Sequence, residues 1–248
     1  MDSVTVITSG KGGVGKSTLS VGLGTAMAAR GKRVLLIDMD AGLGSLDHML
    51  GITERLVFDI ADVISGEAEP DKAVYRCAFE PNLFLLPAPA AEEDVVSPDL
   101  MRQFTAVLSR YYDQILIDSP AGVGQGFLSA AAAASRALVV TTPDPVCVRD
   151  AARTRKCLLE AGVTGQRLVV NRFSTALFRG QGYYRDLDSV IDAAGIRLIA
   201  VVPEDASLAG AAACAKRMSE TSPGAMALGR LAARLEGERI PLPDLQKF

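Results

Sequence analysis

Gly10, Gly15, Lys16 and Ser17 stand at the spacing G-x-x-x-x-G-K-[ST], the signature of a phosphate-binding loop. The segment Gly10, Lys11, Gly12, Gly13, Val14, Gly15, Lys16, Ser17 and Thr18 is therefore the first candidate nucleotide site. Glycines let backbone N–H groups curl around an anion that side chains would hold off. A following helix adds the positive end of its dipole. Lys16 is positioned to reach the β- and γ-phosphates of a nucleotide, and the Ser17 hydroxyl to hold Mg²⁺. Lys11 exceeds this pattern: it lies on the opposite limb of the loop from Lys16, where one phosphate group is already served.

Three carboxylates complete the chemistry. Asp38 and Asp40 end an apolar run one residue apart, and Asp118 ends another, Gln114-Ile-Leu-Ile-Asp118. An aspartate closing an apolar strand has the Walker B form and would hold Mg²⁺ directly or through water. Asp38 and Asp40 suit a metal-bound water and an attacking water respectively, although a strand-to-loop transition with polar ends accounts for them equally well. Pro120, Gly122 and Gly124 make a loop able to rearrange when a γ-phosphate is lost.

The elements that must position these groups alternate along the chain. Apolar runs at Val4–Thr8, Arg33–Asp38, Leu83–Pro87, Gln114–Asp118, Ala137–Thr142, Leu168–Asn171 and Leu198–Val202 read as strands. The intervals leave room for crossover helices, which predicts an α/β fold: a doubly wound, mostly parallel sheet with helices on both faces. A first helix is expected over Ser17–Arg30 with Gly31 as its left-handed cap, Gly22 and Gly24 being compensated by close packing. Asp144-Pro145 reads as an N-cap and first helical residue, with Gly162 closing that helix. A last helix over Ala225–Glu236 carries Met226, Leu228, Leu231 and Leu235 as a core-packing stripe. Pro87–Pro98 reads as a surface loop, so residues 1–248 are expected to form a single domain whose tail, 237–248, is extended.

Composition narrows the class. The apolar share of 49% supports a sizeable core, and the net charge of −3 points to neither nucleic acid nor acidic lipid. Cys77, Cys147, Cys157 and Cys214 are scattered without a C-x-x-C pair, which fits a reducing cytoplasm and excludes a disulfide framework. The N-terminus enters a strand at once, so no signal peptide is expected, and no apolar run is long enough to span a bilayer. His48, the only histidine, reads as structural.

The string Gly10-Lys-Gly-Gly-Val-Gly-Lys-Ser-Thr18 resembles the deviant Walker A box of the MinD/ParA family of P-loop ATPases. The resemblance implies that Lys11 crosses a dimer interface to the partner's nucleotide and that Asp40 serves hydrolysis. Asp118-Ser-Pro-Ala-Gly122 is similar to the family's second switch, Asp-x-Pro-Ala-Gly. Val170-Asn171-Arg172 and Val202-Pro203-Glu204-Asp205 resemble its two adenine-binding segments, which implies that Asn171, Arg172, Pro203, Glu204 and Asp205 bind the base and that ATP is preferred to GTP. One departure stands in the first switch, where Gly44 and Ser45 replace the usual Arg-Asn, so Ser45 supplies no amide. The resemblance further implies a homodimer with ATP and Mg²⁺ at the interface, spatial regulation of cell division at the septum, a MinC-like inhibitor and a MinE- or MinJ-like regulator. Alternatives are a flagellar-number regulator or ParA-like partitioning ATPase, and, in another class, a monomeric metabolic ligase or kinase. Pro241 and Pro243 are incompatible with the basic amphipathic helix that family members carry at the C-terminus, which makes membrane association of this chain doubtful; the expected localisation is cytoplasmic or peripheral at the inner face of the cell membrane.

Overall fold

The computed structural model describes residues 3–41, 45–89 and 96–245. Gly44, part of the Pro87–Pro98 loop and the last three residues of the tail lie outside the described residues.

The apolar runs form β1 (Val4–Thr8), β2 (Val34–Asp38), β3 (Tyr75–Arg76), β4 (Leu83–Leu86), β5 (Gln114–Asp118), β6 (Arg136–Thr141), β7 (Gly165–Phe173) and β8 (Leu198–Pro203). They lie in one sheet in the order β3-β4-β2-β5-β1-β6-β7-β8. Neighbours are parallel except the β3–β4 pair. Parallel strands cannot turn back in a tight hairpin, so helices cross between them and cover both faces. In chain order these are α1 (Lys16–Ala29), α2 (Ser45–Met49), α3 (Ile60–Ser65), α4 (Pro98–Leu108), α5 (Gln125–Ala133), α6 (Pro145–Glu160), α7 (Thr175–Gln181), α8 (Leu187–Ala194), α9 (Ala206–Ala213) and α10 (Pro223–Leu235).

Alternate residues of each strand feed two cores. Val6, Leu35, Ile37, Ile115 and Ile117 pack with Phe127 of α5, Val148 of α6 and Val190 of α8. Ile7, Leu36, Leu116 and Leu138 pack with Leu19 and Leu23 of α1 and Leu228 of α10 on the other face. The doubly wound arrangement expected from the sequence is thus present. The strand β3 was not foreseen, because two residues carry no periodicity. Strand β7 runs two residues past Asn171 and breaks register with β8 between Val170 and Phe173.

The helix α1 explains its two internal glycines. A Cβ on Gly24 would lie 2.9 Å from Leu83 Cδ1 and 3.1 Å from Leu36 Cδ2, so the helix presses directly on β2 and β4. On Gly22 it would lie 2.4 Å from Leu228 Cδ1, where α10 crosses α1. In α10, Leu228 and Leu231 are fully buried, but Met226 is 46% exposed, a correction to the expected core stripe: it falls on the outer edge of that face. Asp144 caps α6 as expected, accepting from Val146 N at 3.1 Å and Cys147 N at 3.0 Å. Beyond α10, Arg234 donates to the carbonyls of Ile240 and Pro241, and no helix forms from residue 238 to 244.

Candidate nucleotide site

The strand β1 sits between β5 and β6, where the chain's winding reverses, and its carboxyl end opens into the loop 9–15. Open α/β sheets bind ligands at such a switch point. Gly13 (φ 81°) and Gly15 (φ 85°) take left-handed conformations that only glycine adopts readily. Gly10 is demanded by contact instead: a Cβ there would lie 2.5 Å from the Asp150 carbonyl oxygen of α6. Gly12 is open, with Ala121 Cβ at 4.0 Å as its nearest neighbour. Gly15 precedes α1 without any side-chain cap, so the first-turn amides have no side-chain acceptor and remain available to an anion.

Several bonds hold this loop in place. Gly122 N donates to Ser9 O at 3.1 Å and Ser9 Oγ to Lys11 O at 2.9 Å, which ties the loop to the turn after β5. Asn171 Nδ2 donates to Val14 O at 2.8 Å. Arg172 Nη1 reaches Gly13 O at 3.4 Å.

Beneath the loop lies a buried charge cluster. Asp38 and Asp118 are opposite each other in the β2–β5 register and are only 2% and 1% exposed. Lys16 Nζ lies 3.5 Å from Asp118 Oδ1, which also accepts from Ser20 Oγ at 2.9 Å. Burial pushes the Asp38 carboxyl up to about 7, with the neighbouring Asp118 charge adding to the rise and the Asp40 N–H opposing it. Burial raises Asp118 as well, against the pull of Lys16 and the Ser17 and Ser20 hydroxyls. Asp118 Oδ2 and Thr8 Oγ1 are buried without hydrogen-bond partners among the described residues. Two buried carboxylates with one lysine between them, and an orphaned oxygen beside the Ser17 helix start, fit a hard divalent cation such as Mg²⁺. No group of three or more acidic, histidine or cysteine side chains suited to a metal occurs among the described residues, so phosphate oxygens and water would complete its coordination. Asp40 follows one residue beyond Asp38 and is half-buried, its N–H donating to Asp38 Oδ1 at 2.9 Å.

The two segments matched to base recognition meet beside the loop. Arg172, held at φ 54°, pairs with Glu204 through Nε–Oε2 at 2.8 Å. Together with Thr142, Ser174 and Phe178 this pair lines a cavity of about 210 Å³. Asp205 is engaged elsewhere: it accepts from Ser207 N at 2.9 Å and Gly224 N at 2.8 Å, capping α9 and anchoring the start of α10. Pro203, the end of β8, brings its backbone to the same edge.

Lys11 is exposed on the outer limb of the loop, on the side of the α6 N-terminus. Burial would raise the Asp144 carboxyl there, but hydrogen bonds from Cys147 and Thr142 and the Lys11 charge hold it below the ordinary range. Ser20, Thr8 and the Asp150 carbonyl are site residues that the sequence motifs did not signal. Ser20 lies one helical turn past Lys16, which is the only hint available for it. His48 Nε2 lies 3.0 Å from Ala213 O, a bridge between α2 and the end of α9, in keeping with its structural reading.

A glycine loop between β1 and α1, facing a strand-end aspartate at the winding reversal, is the site of a P-loop NTPase. A family model described as "ParA: NUBPL iron-transfer P-loop NTPase" matches residues 1–178. The septum site-determining protein MinD of Thermotoga maritima is 37% identical over 249 residues, 98% of this chain and 92% of that protein. Among solved structures, the MinC:MinD cell division protein complex of Aquifex aeolicus matches with a TM-score of 0.89 at 36% identity, covering 97% of this chain and 98% of that one. The septum site-determining protein MinD of Pyrococcus horikoshii, complexed with Mg-ADP, matches with a TM-score of 0.84 at 28% identity, covering 96% and 97%. The chain belongs to the MinD/ParA family.

Proposed function

We propose that this chain, acting as one ATPase domain over residues 1–248, is a MinD-like switch that dimerises with ATP, separates after hydrolysis and regulates septum placement. Near full-length likeness to septum site-determining proteins supports the division role over a flagellar or partitioning one. The observation that carries the mechanism is the pairing of a complete phosphate loop with an exposed second lysine, Lys11, on its outer limb. A monomeric kinase or ligase leaves that lysine without a task.

In this reading the loop amides and Lys16 bind the β- and γ-phosphates. Bound Mg²⁺, held by Ser17 and by Asp118 and Asp38 directly or through water, would neutralise phosphate charge. Asp40 orients the attacking water through its carboxylate. Lys11 of the partner subunit faces the charge that develops on the transferred phosphoryl group; cationic fingers of this kind are worth ~10³–10⁵ in rate. Asn171 and Arg172 border the base, with the backbone of Pro203, Glu204 and Asp205 opposite. The division inhibitor it recruits is MinC-like, because a relative has been solved as a MinC:MinD complex; a MinE- or MinJ-like regulator would trigger hydrolysis. Among the described residues no helix is long and apolar enough to cross a membrane, so any membrane contact would be peripheral.

The test is molecular mass by sedimentation velocity with Mg·ATP and with Mg·ADP, alongside phosphate release. A dimer only with ATP, accumulated by Asp40→Ala as turnover stops, supports the switch; an unchanged mass in both nucleotides, or normal turnover in Asp40→Ala, contradicts it.

A further inference from the structure

At the opposite edge of the sheet, beneath the amino ends of β1, β2, β5 and β6, lies a second cavity of about 770 Å³. That volume is within the usual range of small-ligand sites. Its walls come from two turns: Lys32 and Arg33 ahead of β2, and Arg110 to Asp113 ahead of β5. In a chain of net charge −3, the accumulation of cations here runs against the average.

Those cations are not balanced locally. No ion pair joins Lys32, Arg33 or Arg110 to a carboxylate among the described residues. The two acidic side chains in the wall are already engaged: Asp113 Oδ2 accepts from Arg33 N at 2.8 Å, and Glu236 Oε2 from Arg30 Nη2 at 2.9 Å. The Arg33 guanidinium is fixed in position, 5.2 Å from the Tyr112 ring centroid and 5.3 Å from that of Phe84. Cation–π contact of this kind restrains the side chain without neutralising it. Arg136 forms the floor, donating to Thr5 Oγ1 at 2.7 Å, Gln114 Oε1 at 3.0 Å and Leu235 O at 3.0 Å, and so joins the strands to the end of α10. A fixed guanidinium and two further unpaired cations ask for an anion.

We propose that this cavity binds a phosphate ester, its phosphate on Lys32, Arg33 and Arg110. Small phosphate monoesters in solution and the headgroup of a glycerophospholipid share this chemistry. The site is connected to the nucleotide loop by α1, which starts at Lys16 and ends beside Arg30 about 20 Å away, 14 residues at helical rise.

The experiment uses the whole chain saturated with Mg·ADP, so that the phosphate loop is occupied, and records amide NMR shifts in physiological salt. Glycerol 3-phosphate is the soluble probe; vesicles of phosphatidylglycerol, with phosphatidylcholine as control, are the lipid probe. Saturable shifts confined to residues 32–34, 110–114 and 236–237, at least tenfold weaker in Lys32→Gln/Arg110→Gln, support the site with a soluble ester as occupant. Broadening of the same amides by phosphatidylglycerol vesicles alone, lost in that double variant, supports it with a lipid headgroup. The variant's unchanged Mg·ADP affinity verifies its fold. No localised response to either probe, or a response that survives the double substitution, overturns the proposal.

Discussion

Asp38→Asn separates the electrostatic cost of the Asp38–Asp118 pair from its function. Asp38 is driven from its ordinary 3.8 to about 7 by burial and by Asp118 across the sheet. At about 1.4 kcal/mol for each tenfold change in a proton equilibrium, that rise corresponds to about 4 kcal/mol. The sign follows from proton binding: the folded chain holds the proton more tightly than the unfolded chain. The contribution is therefore fully present below pH 3.8, falls as pH rises, and is gone above about pH 7, where a buried carboxylate opposes folding. Asparagine keeps the shape and can still accept from Asp40 N, but has no charge to expel. Urea unfolding in EDTA, without nucleotide, at pH 5 and pH 8.5 gives the comparison for wild type and variant, and titrating groups not coupled to Asp38 cancel in the difference. Wild type is expected to lose about 2–3 kcal/mol more than Asp38→Asn between the two pH values, because part of the full contribution is already lost between pH 3.8 and pH 5. Equal losses, or a variant less stable than wild type at pH 8.5, would refute the reasoning that these carboxylates are stored repulsion awaiting a cation.

Three further substitutions test the loop and its support. Gly10→Ala places a methyl 2.5 Å from the Asp150 carbonyl, so α6 must shift; a loss of about 1–3 kcal/mol in thermal or urea unfolding is expected. Gly12→Ala meets nothing closer than 4.0 Å and should leave the apo fold within about 0.5 kcal/mol, while a weaker Mg·ADP affinity by calorimetry would show ligand approach at that point. Asn171→Ala removes the 2.8 Å bond to Val14 O, leaves that carbonyl unpaired and is expected to cost about 1–3 kcal/mol with weakened nucleotide binding. Unchanged stability there would show that water replaces the amide.

The parts that were legible in the sequence are those whose physics is local. The glycine spacing of the loop, the apolar runs ending in Asp38 and Asp118, and the Asp144-Pro145 cap each announce themselves within a few residues. What could not be read depends on sheet order. Asp38 and Asp118 become strained neighbours only because β5 inserts between β2 and β1, a register that no local pattern encodes. The contact that requires Gly10 comes from a helix 140 positions away, and Asn171 reaches Val14 rather than pointing wholly at a base. Asp205 looked like part of a base-binding segment, yet its carboxylate holds two helices together. The cavity at the far edge gathers residues from five separate stretches, none of which signals a site by itself.

The account rests most heavily on Lys11 acting on the other subunit's nucleotide, and mixing two defective variants tests that directly. Lys11→Ala retains a complete phosphate loop, whereas Lys16→Ala retains the finger. If the finger acts across the interface, their heterodimer contains one complete site, and phosphate release from the mixture should rise well above that of either variant alone. Release no greater than the sum of the two, with sedimentation showing that the heterodimer has formed, would contradict it.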